Sequence, residues 1–285
     1  MIKPTVLKVS VIIPCYNEQD SLPRCLEALT SQSIKPYEVI VVDNNSTDKT
    51  AELARSFGAK VIKEKSQGVI AARNSGMNAA KGDILARIDA DTAVTADWVE
   101  ELLRSFSDNE VVAVSGTGDF YDLPFTSGSR AFRNFFAVTL NRWILGHNML
   151  WGSNMAIRES AWRSVYPTLC HKSDIMEDLD IAIHMAAEFG GSSISYNPAM
   201  KADISARRAT AGLFKNYLYM KMWPDTLRPH KGLRSHLLWP AVGFAVVVVG
   251  PYTGGIMRIY DGDSRRWKLN PRQWLKAKNF DRGNP

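Results

Sequence analysis

The chain has 285 residues, 45% hydrophobic and 22% charged, with a formal net charge of +6. That balance excludes a disordered or low-complexity chain and leaves room for one large α/β domain plus an appendage. Cys15, Cys25 and Cys170 have neither paired nor metal-ligand spacing, which excludes a disulfide-stapled scaffold and makes a reducing compartment the default.

Residues 1–18 lack the long apolar run and small-residue cleavage site of a signal peptide, so the catalytic part is expected inside the cell. Residues 9–13 and 38–42 are short β-branched runs bounded by turn residues and read as buried strands. Between them, residues 21–31 carry Leu22, Cys25, Leu26 and Leu29 at helical spacing. Strand, helix, strand predicts a parallel pair. The alternation continues with a helix over 47–57, a strand over 60–62, a helix over 69–80, a strand over 84–88 and a helix over 95–106. Such alternation builds a sheet covered on both faces that binds ligands beyond the carboxyl ends of its strands. Three polar segments fall there: residues 14–18, 43–46 and 89–91. After Val114 the regularity fades into a turn-rich loop over 116–128 and a candidate helix through Phe132, Phe135, Phe136, Leu140 and Ile144.

Asp89-Ala90-Asp91 ends the apolar run 84–88. In an extended strand, residues i and i+2 share a face. Two carboxylates about 5 Å apart would repel by roughly 3 kcal/mol at an effective dielectric near 20, which points to a bound cation or strong hydrogen bonding. Mn²⁺ or Mg²⁺ fits, because hard cations bridge protein carboxylates to substrate phosphates. The same spacing recurs at Asp178 and Asp180 and at Asp261 and Asp263, but the first pair lies in a predicted helix over 177–189 and the second in a charged tail.

Charge is unevenly distributed. Residues 1–200 carry 19 Lys/Arg against 24 Asp/Glu, a balance of −5, and residues 201–285 carry 16 against 5, a balance of +11. Within the basic tail, the 23 residues from 235 to 257 contain no Asp, Glu, Lys or Arg. That is long enough to cross a bilayer, yet Pro240, Pro251 and Gly254-Gly255 interrupt it and Lys/Arg flank both sides. A re-entrant or interfacial hairpin is favoured over a single span, with a buried soluble helix as the third option. Residues 213–223 mix aromatics with lysines, as an interfacial helix does. The expected partner is therefore a membrane and not nucleic acid.

Taken in order, residues 11–18 (VIIPCYNE), 41–48 (VVDNNSTD), Gly68 with Ala72-Arg73-Asn74-Ser75-Gly76, and Asp89-Ala90-Asp91 resemble family 2 of the nucleotide-sugar glycosyltransferases. The resemblance covers about residues 9–190. It implies an α/β class of type A glycosyltransferase fold, with a mostly parallel central sheet flanked by helices; the C-terminal apolar and basic appendage is read from composition and lies outside the resemblance. It also implies a divalent metal and the inverting transfer of one hexose-like sugar from a UDP- or GDP-type donor. The expected organisation is a catalytic domain over 1–210, with a donor half over 1–115 and an acceptor half over 116–210, then a membrane-associating region over 211–285. By the same resemblance Asp43 contacts the base, Pro14, Tyr16 and Glu18 frame the nucleoside, and Arg73 lies near the base or diphosphate. Asp89 faces the ribose and metal, and Asp91 is the more direct metal ligand. Glu177-Asp178 resembles the family's paired acidic motif, making Asp178 the base and placing Glu177 on the acceptor side. Trp151-Gly152-Ser153-Asn154 resembles the segment between metal site and base, so Trp151 is expected against an acceptor and Asn154 against the donor sugar.

The Gln-x-x-Arg-Trp motif of the family's processive synthases does not occur, which favours single addition to a glycan or lipid-linked acceptor at the cytoplasmic face of a membrane. Arg207 and Arg208 are candidates for a phosphate. Two alternatives stand beside this reading: a non-catalytic membrane adaptor that retains the fold, and a sugar nucleotidyltransferase. The second would carry a glycine-rich loop where Pro14-Cys15-Tyr16-Asn17-Glu18 stands.

Overall fold

The computed structural model describes residues 7–121, 138–139, 141–172, 174–205, 221–223, 225–227, 230, 259–261 and 266–267. The first half alternates as the periodicity predicts: β1 (Val9–Cys15), α1 (Leu22–Thr30), β2 (Glu38–Asp43), α2 (Thr50–Ser56), β3 (Lys60–Lys63), α3 (Val69–Ala79), β4 (Ile84–Arg87), β5 (Ala93–Val94) and α4 (Trp98–Ser105). Then come β6 (Ala113–Phe120), α5 (Asn141–Leu145), β7 (Met155–Arg158), α6 (Glu159–Val165), α7 (Glu177–Phe189), β8 (Ile194–Ile204) and the short strands β9 (Tyr260–Asp261) and β10 (Arg266–Trp267).

Eight strands form one sheet in the order β3-β2-β1-β4-β7-β6-β8-β5. Strands β3, β2, β1 and β4 pair in parallel, and β7 joins antiparallel to both β4 and β6. The architecture is the expected largely parallel sheet flanked by helices. The chain steps from β1 out to β2 and β3, then returns to lay β4 on the other side of β1. Sheets of this class take ligands beyond the strand ends at such a reversal. Burial explains the order: Ile12, Ile40, Val42, Leu85, Met155 and Ile157 form one apolar layer, and Leu22, Cys25, Leu26 and Leu29 turn the inner face of α1 to the interior.

Two helices start later than predicted. Residues 47–49 serve the neighbouring loop, with the Thr47 amide bound to Asn17 Oδ1 at 2.8 Å, so α2 begins at Thr50. The Thr95 amide bonds to the Lys201 carbonyl at 3.1 Å, so α4 begins at Trp98. The turn-rich loop expected from Gly116 is instead strand as far as Phe120. Gly116 lies flush with the Asn154 amide and the Met200 carbonyl, a close approach that any Cβ would obstruct.

The chain divides into two compact units. The first comprises residues 1–118, 147–173 and 177–202, and the second residues 119–146, 174–176 and 203–285. In the second, α5 exposes Trp143, β9 pairs antiparallel with β10, and Thr226 Oγ1 accepts the Met176 amide at 2.8 Å. The expected helix through Phe132, Phe135, Phe136 and Leu140, the arginines Arg207 and Arg208, residues 213–220 and the apolar stretch 235–257 lie outside the described residues. Among the described residues, no helix is long and apolar enough to cross a membrane.

Candidate active site

The three polar segments at the strand ends meet within the first unit. The loop after β1 is stitched to the loop after β2: the Asn17 amide bonds to Ser46 Oγ at 3.0 Å, the Glu18 amide to Thr50 Oγ1 at 2.8 Å and the Asn44 amide to the Cys15 carbonyl at 2.8 Å. Asn17 (φ 52°) and Asn45 (φ 65°) adopt the left-handed conformation, which asparagine tolerates better than most side chains. Cys25 Sγ contacts the Asp89 carbonyl at 3.8 Å, which brings the β4 end to α1. The buried thiols of Cys15 and Cys25 register this convergence. Burial raises both pKa values, and the fields of Glu18, Asp43 and Asp89 at Cys15, and of Asp91, Asp89 and Glu18 at Cys25, raise them further. Neither thiol is a nucleophile at neutral pH.

Around this rim, Pro14 and Tyr16 are partly exposed and Glu18 is buried. Asp43 is buried at the end of β2, and its Oδ1 accepts the Ser46 amide at 3.0 Å, so it shapes its own turn. Asp89 and Asp91 are both partly exposed. They offer two hard carboxylates at one strand end, a donor set that suits Mn²⁺ or Mg²⁺.

Opposite them, α7 begins with Glu177 and Asp178. Asp178 is partly exposed; its Oδ2 accepts the Gly152 amide at 3.1 Å and its Oδ1 the Leu179 amide at 2.9 Å. Burial and the neighbouring Glu177 raise its pKa above the ordinary aspartate value, outweighing the pull of Arg87 and of the two amides. A carboxylate held above its usual range, with oxygens oriented by two amides, is suited to accept a proton.

Three expected site residues are buried among partners from the protein itself. Arg73, expected near the base or diphosphate, is 1% exposed; its Nη1 donates to Glu177 Oε2 at 2.8 Å and its guanidinium lies 5.5 Å over the Trp162 ring. Glu177, expected on the acceptor side, is buried, and its second carboxylate oxygen takes Arg87 Nη1. Asn154, expected against the donor sugar, is fully buried. Its Oδ1 accepts Trp98 Nε1 at 2.8 Å, and its Nδ2 donates to the Thr117 and Met200 carbonyls, each at 2.8 Å. Its amide is spent tying α4, β6 and β8 together. Trp151 remains partly exposed, with its amide on Ser115 Oγ at 3.1 Å.

The sequence reading missed Arg87. It is 3% exposed at the last position of β4, where Nη2 reaches Asp89 Oδ1 at 3.3 Å and Nη1 reaches Glu177. Burial opposes its charge, but Glu177, Asp89 and Asp178 together hold its pKa above the ordinary arginine value. The signal was a lone cation inside the apolar run 84–88.

The family model of glycosyl transferase family 2 matches residues 10–165, which include all but the first residue of β1, the elements from there through β7, and the whole polar rim. The chain belongs to glycosyl transferase family 2. Among curated relatives, glycosyltransferase AglE of Haloferax volcanii is 34% identical over 167 residues, 56% of this chain and 55% of that protein. The chain thus spans about half the length of that relative. Two solved structures share the fold. The mannosyltransferase PcManGT of Pyrobaculum calidifontis, in complex with GDP-Man and Mn²⁺, has a TM-score of 0.64 at 20% identity over 88% of this chain and 73% of that one. The glucosyl-3-phosphoglycerate synthase of Mycobacterium tuberculosis, in complex with Mn²⁺, UDP-glucose and phosphoglyceric acid, has a TM-score of 0.57 at 18% identity over 77% of this chain and 80% of that one.

Proposed function

We propose that this family 2 glycosyltransferase moves one sugar from a UDP- or GDP-type nucleotide-sugar to an acceptor hydroxyl, with inversion and in a metal-dependent manner. The observation that carries the reading is the meeting, in one unit, of the Asp89 end of β4 with the Asp178 end of α7 through Arg87 and Glu177. Asp43 would contact the base, and Pro14, Tyr16 and Glu18 would frame the nucleoside. Asp91 and Asp89 would hold Mn²⁺ or Mg²⁺. Bound there, the cation supplies neutralisation of charge on the leaving diphosphate. Asp178 takes the acceptor hydroxyl proton while that oxygen bonds to the anomeric carbon, and the bond to the diphosphate oxygen breaks on the opposite side. Trp151 faces the acceptor.

The acceptor is a glycan or lipid-linked molecule at the cytoplasmic face of a membrane. The basic balance of residues 201–285 and the uncharged stretch 235–257 support this, and the missing Gln-x-x-Arg-Trp motif supports single addition. Calorimetric titration of UDP, GDP, UDP-glucose and GDP-mannose, with and without Mn²⁺, tests the donor site. Metal-dependent binding of one nucleotide class, abolished in Asp91→Asn, is expected. Binding of none, or binding indifferent to Mn²⁺ and to the variant, sinks the reading. Flotation with anionic lipid vesicles tests the membrane partner.

A further inference from the structure

From the geometry around β4 we infer that Arg87 is a positioning residue for the transfer step: one guanidinium ties Asp89 to Glu177, and so fixes the metal-side carboxylates against the adjacent base Asp178. The inference rests on the proposed transfer reaction.

Its position is costly for a merely structural residue. Ile84, Leu85 and Ala86, the rest of β4, are apolar and fully buried, and an apolar side chain would serve the strand equally well. Arg87 instead carries a charge out of water, and its buried Nε has no hydrogen-bond partner among the described residues. Replacing a buried ion pair by apolar groups is often neutral or stabilising, so stability gives little reason for this arginine.

Its contacts reach Asp178 by two routes. The first runs through Glu177, the preceding residue on α7, whose other carboxylate oxygen is held by Arg73 at 2.8 Å. The second runs through Gly152. The Gly152 amide orients Asp178 Oδ2, and its Cα faces the guanidinium so closely that an added Cβ would stand 2.5 Å from Arg87 Nη1. Meanwhile Nη2 holds Asp89. A planar fork can address two carboxylates at fixed angles, whereas a lysine ammonium is a single point charge. Moving Arg87 therefore moves the donor side and the base side relative to each other.

The test uses the full chain with Arg87→Lys and Arg87→Met, and Asp178→Asn as the reference. The measurements are thermal melting, Mn²⁺-dependent affinity for UDP and GDP, and kcat and KM for nucleoside diphosphate release from UDP-glucose or GDP-mannose. Arg87→Lys is expected to fold and to keep nucleotide affinity and donor KM within about 3-fold, while kcat falls roughly 30- to 100-fold, the order expected for a misplacement near 1 Å. A near-normal kcat in Arg87→Lys, or a loss that follows KM or the folded fraction, overturns the positioning role. Should Arg87→Met fail to fold, Arg87→Lys still decides. If Asp178→Asn turns over normally, or the unaltered chain releases nucleotide from neither donor, the transfer reading fails and this role with it. If Asp178→Asn is inactive while Arg87→Lys is active, only the role of Arg87 fails.

Discussion

Gly152 donates its amide hydrogen to Asp178 at 3.1 Å while its Cα rests against the Arg87 guanidinium. Glycine is required there by proximity and not by backbone twist, since Gly152 is absent from the positive-φ residues. In Gly152→Ala the new methyl would meet Arg87 Nη1 at 2.5 Å and Cζ at 2.8 Å. Overpacking of this kind costs about 1–3 kcal/mol. Urea denaturation is expected to show that loss, and donor turnover to fall further than stability alone explains. An unchanged midpoint with full turnover contradicts the contact.

Asp178 should set the acid side of the pH profile. Burial and Glu177 raise its pKa above the ordinary 3.8, and only the carboxylate accepts a proton, so kcat rises with pH along a limb displaced above 3.8. Asp178→Asn is expected to lower kcat by roughly 10²- to 10⁴-fold with nucleotide affinity kept. Stability moves in the opposite sense. Because the folded pKa is raised, the contribution of this group is full below 3.8 and is lost as pH rises through the folded value. A kcat limb at or below 3.8 rules out the assignment.

The first half was legible because its signals are local. Each βα unit announces itself by a short β-branched run, a turn and an apolar helical stripe, and three polar loops at one rim follow from strand direction alone. The other strands hide their periodicity: β6 carries Gly116 and Gly118, β7 has four residues, and Pro198 interrupts the alternation of β8. Asp89, Asp91 and Asp178 could be placed on their elements from the motifs alone, just after β4 and at the start of α7. The partners of Arg73, Glu177 and Asn154 could not, because they lie far along the chain and a single sequence carries no sign of a pairing between residues 73 and 177.

Asn154→Ala discriminates a structural amide from a donor contact. Removing it leaves Trp98 Nε1 and the Thr117 and Met200 carbonyls without the partner they now share. At roughly 1–3 kcal/mol for an orphaned buried group, a total loss of about 3 kcal/mol or more is expected in chemical denaturation. Mn²⁺-dependent nucleotide affinity of the folded fraction should be unchanged. A drop in affinity at undiminished stability supports the donor role.

Glu177→Ala takes the shared anion from two buried cations, Arg73 and Arg87. Breaking a buried pair from one side costs about 3–5 kcal/mol. The expected result is a lower denaturation midpoint that Glu177→Asp recovers in part. A variant as stable as the unaltered chain shows that the guanidiniums find other acceptors.

The Arg73–Glu177–Arg87 cluster also limits how this protein can be assembled. Its two cations belong to the early βα repeats, and the anion that they share arrives 104 residues after the first and 90 after the second. A nascent chain released as far as α4 already has the strands, helices and loops of the first βα units, yet it would have to enclose two guanidiniums without that counter-charge. The half that looks most like a self-sufficient module is therefore unfinished until α7 is made, and cutting the gene between the halves would yield fragments that fold only together.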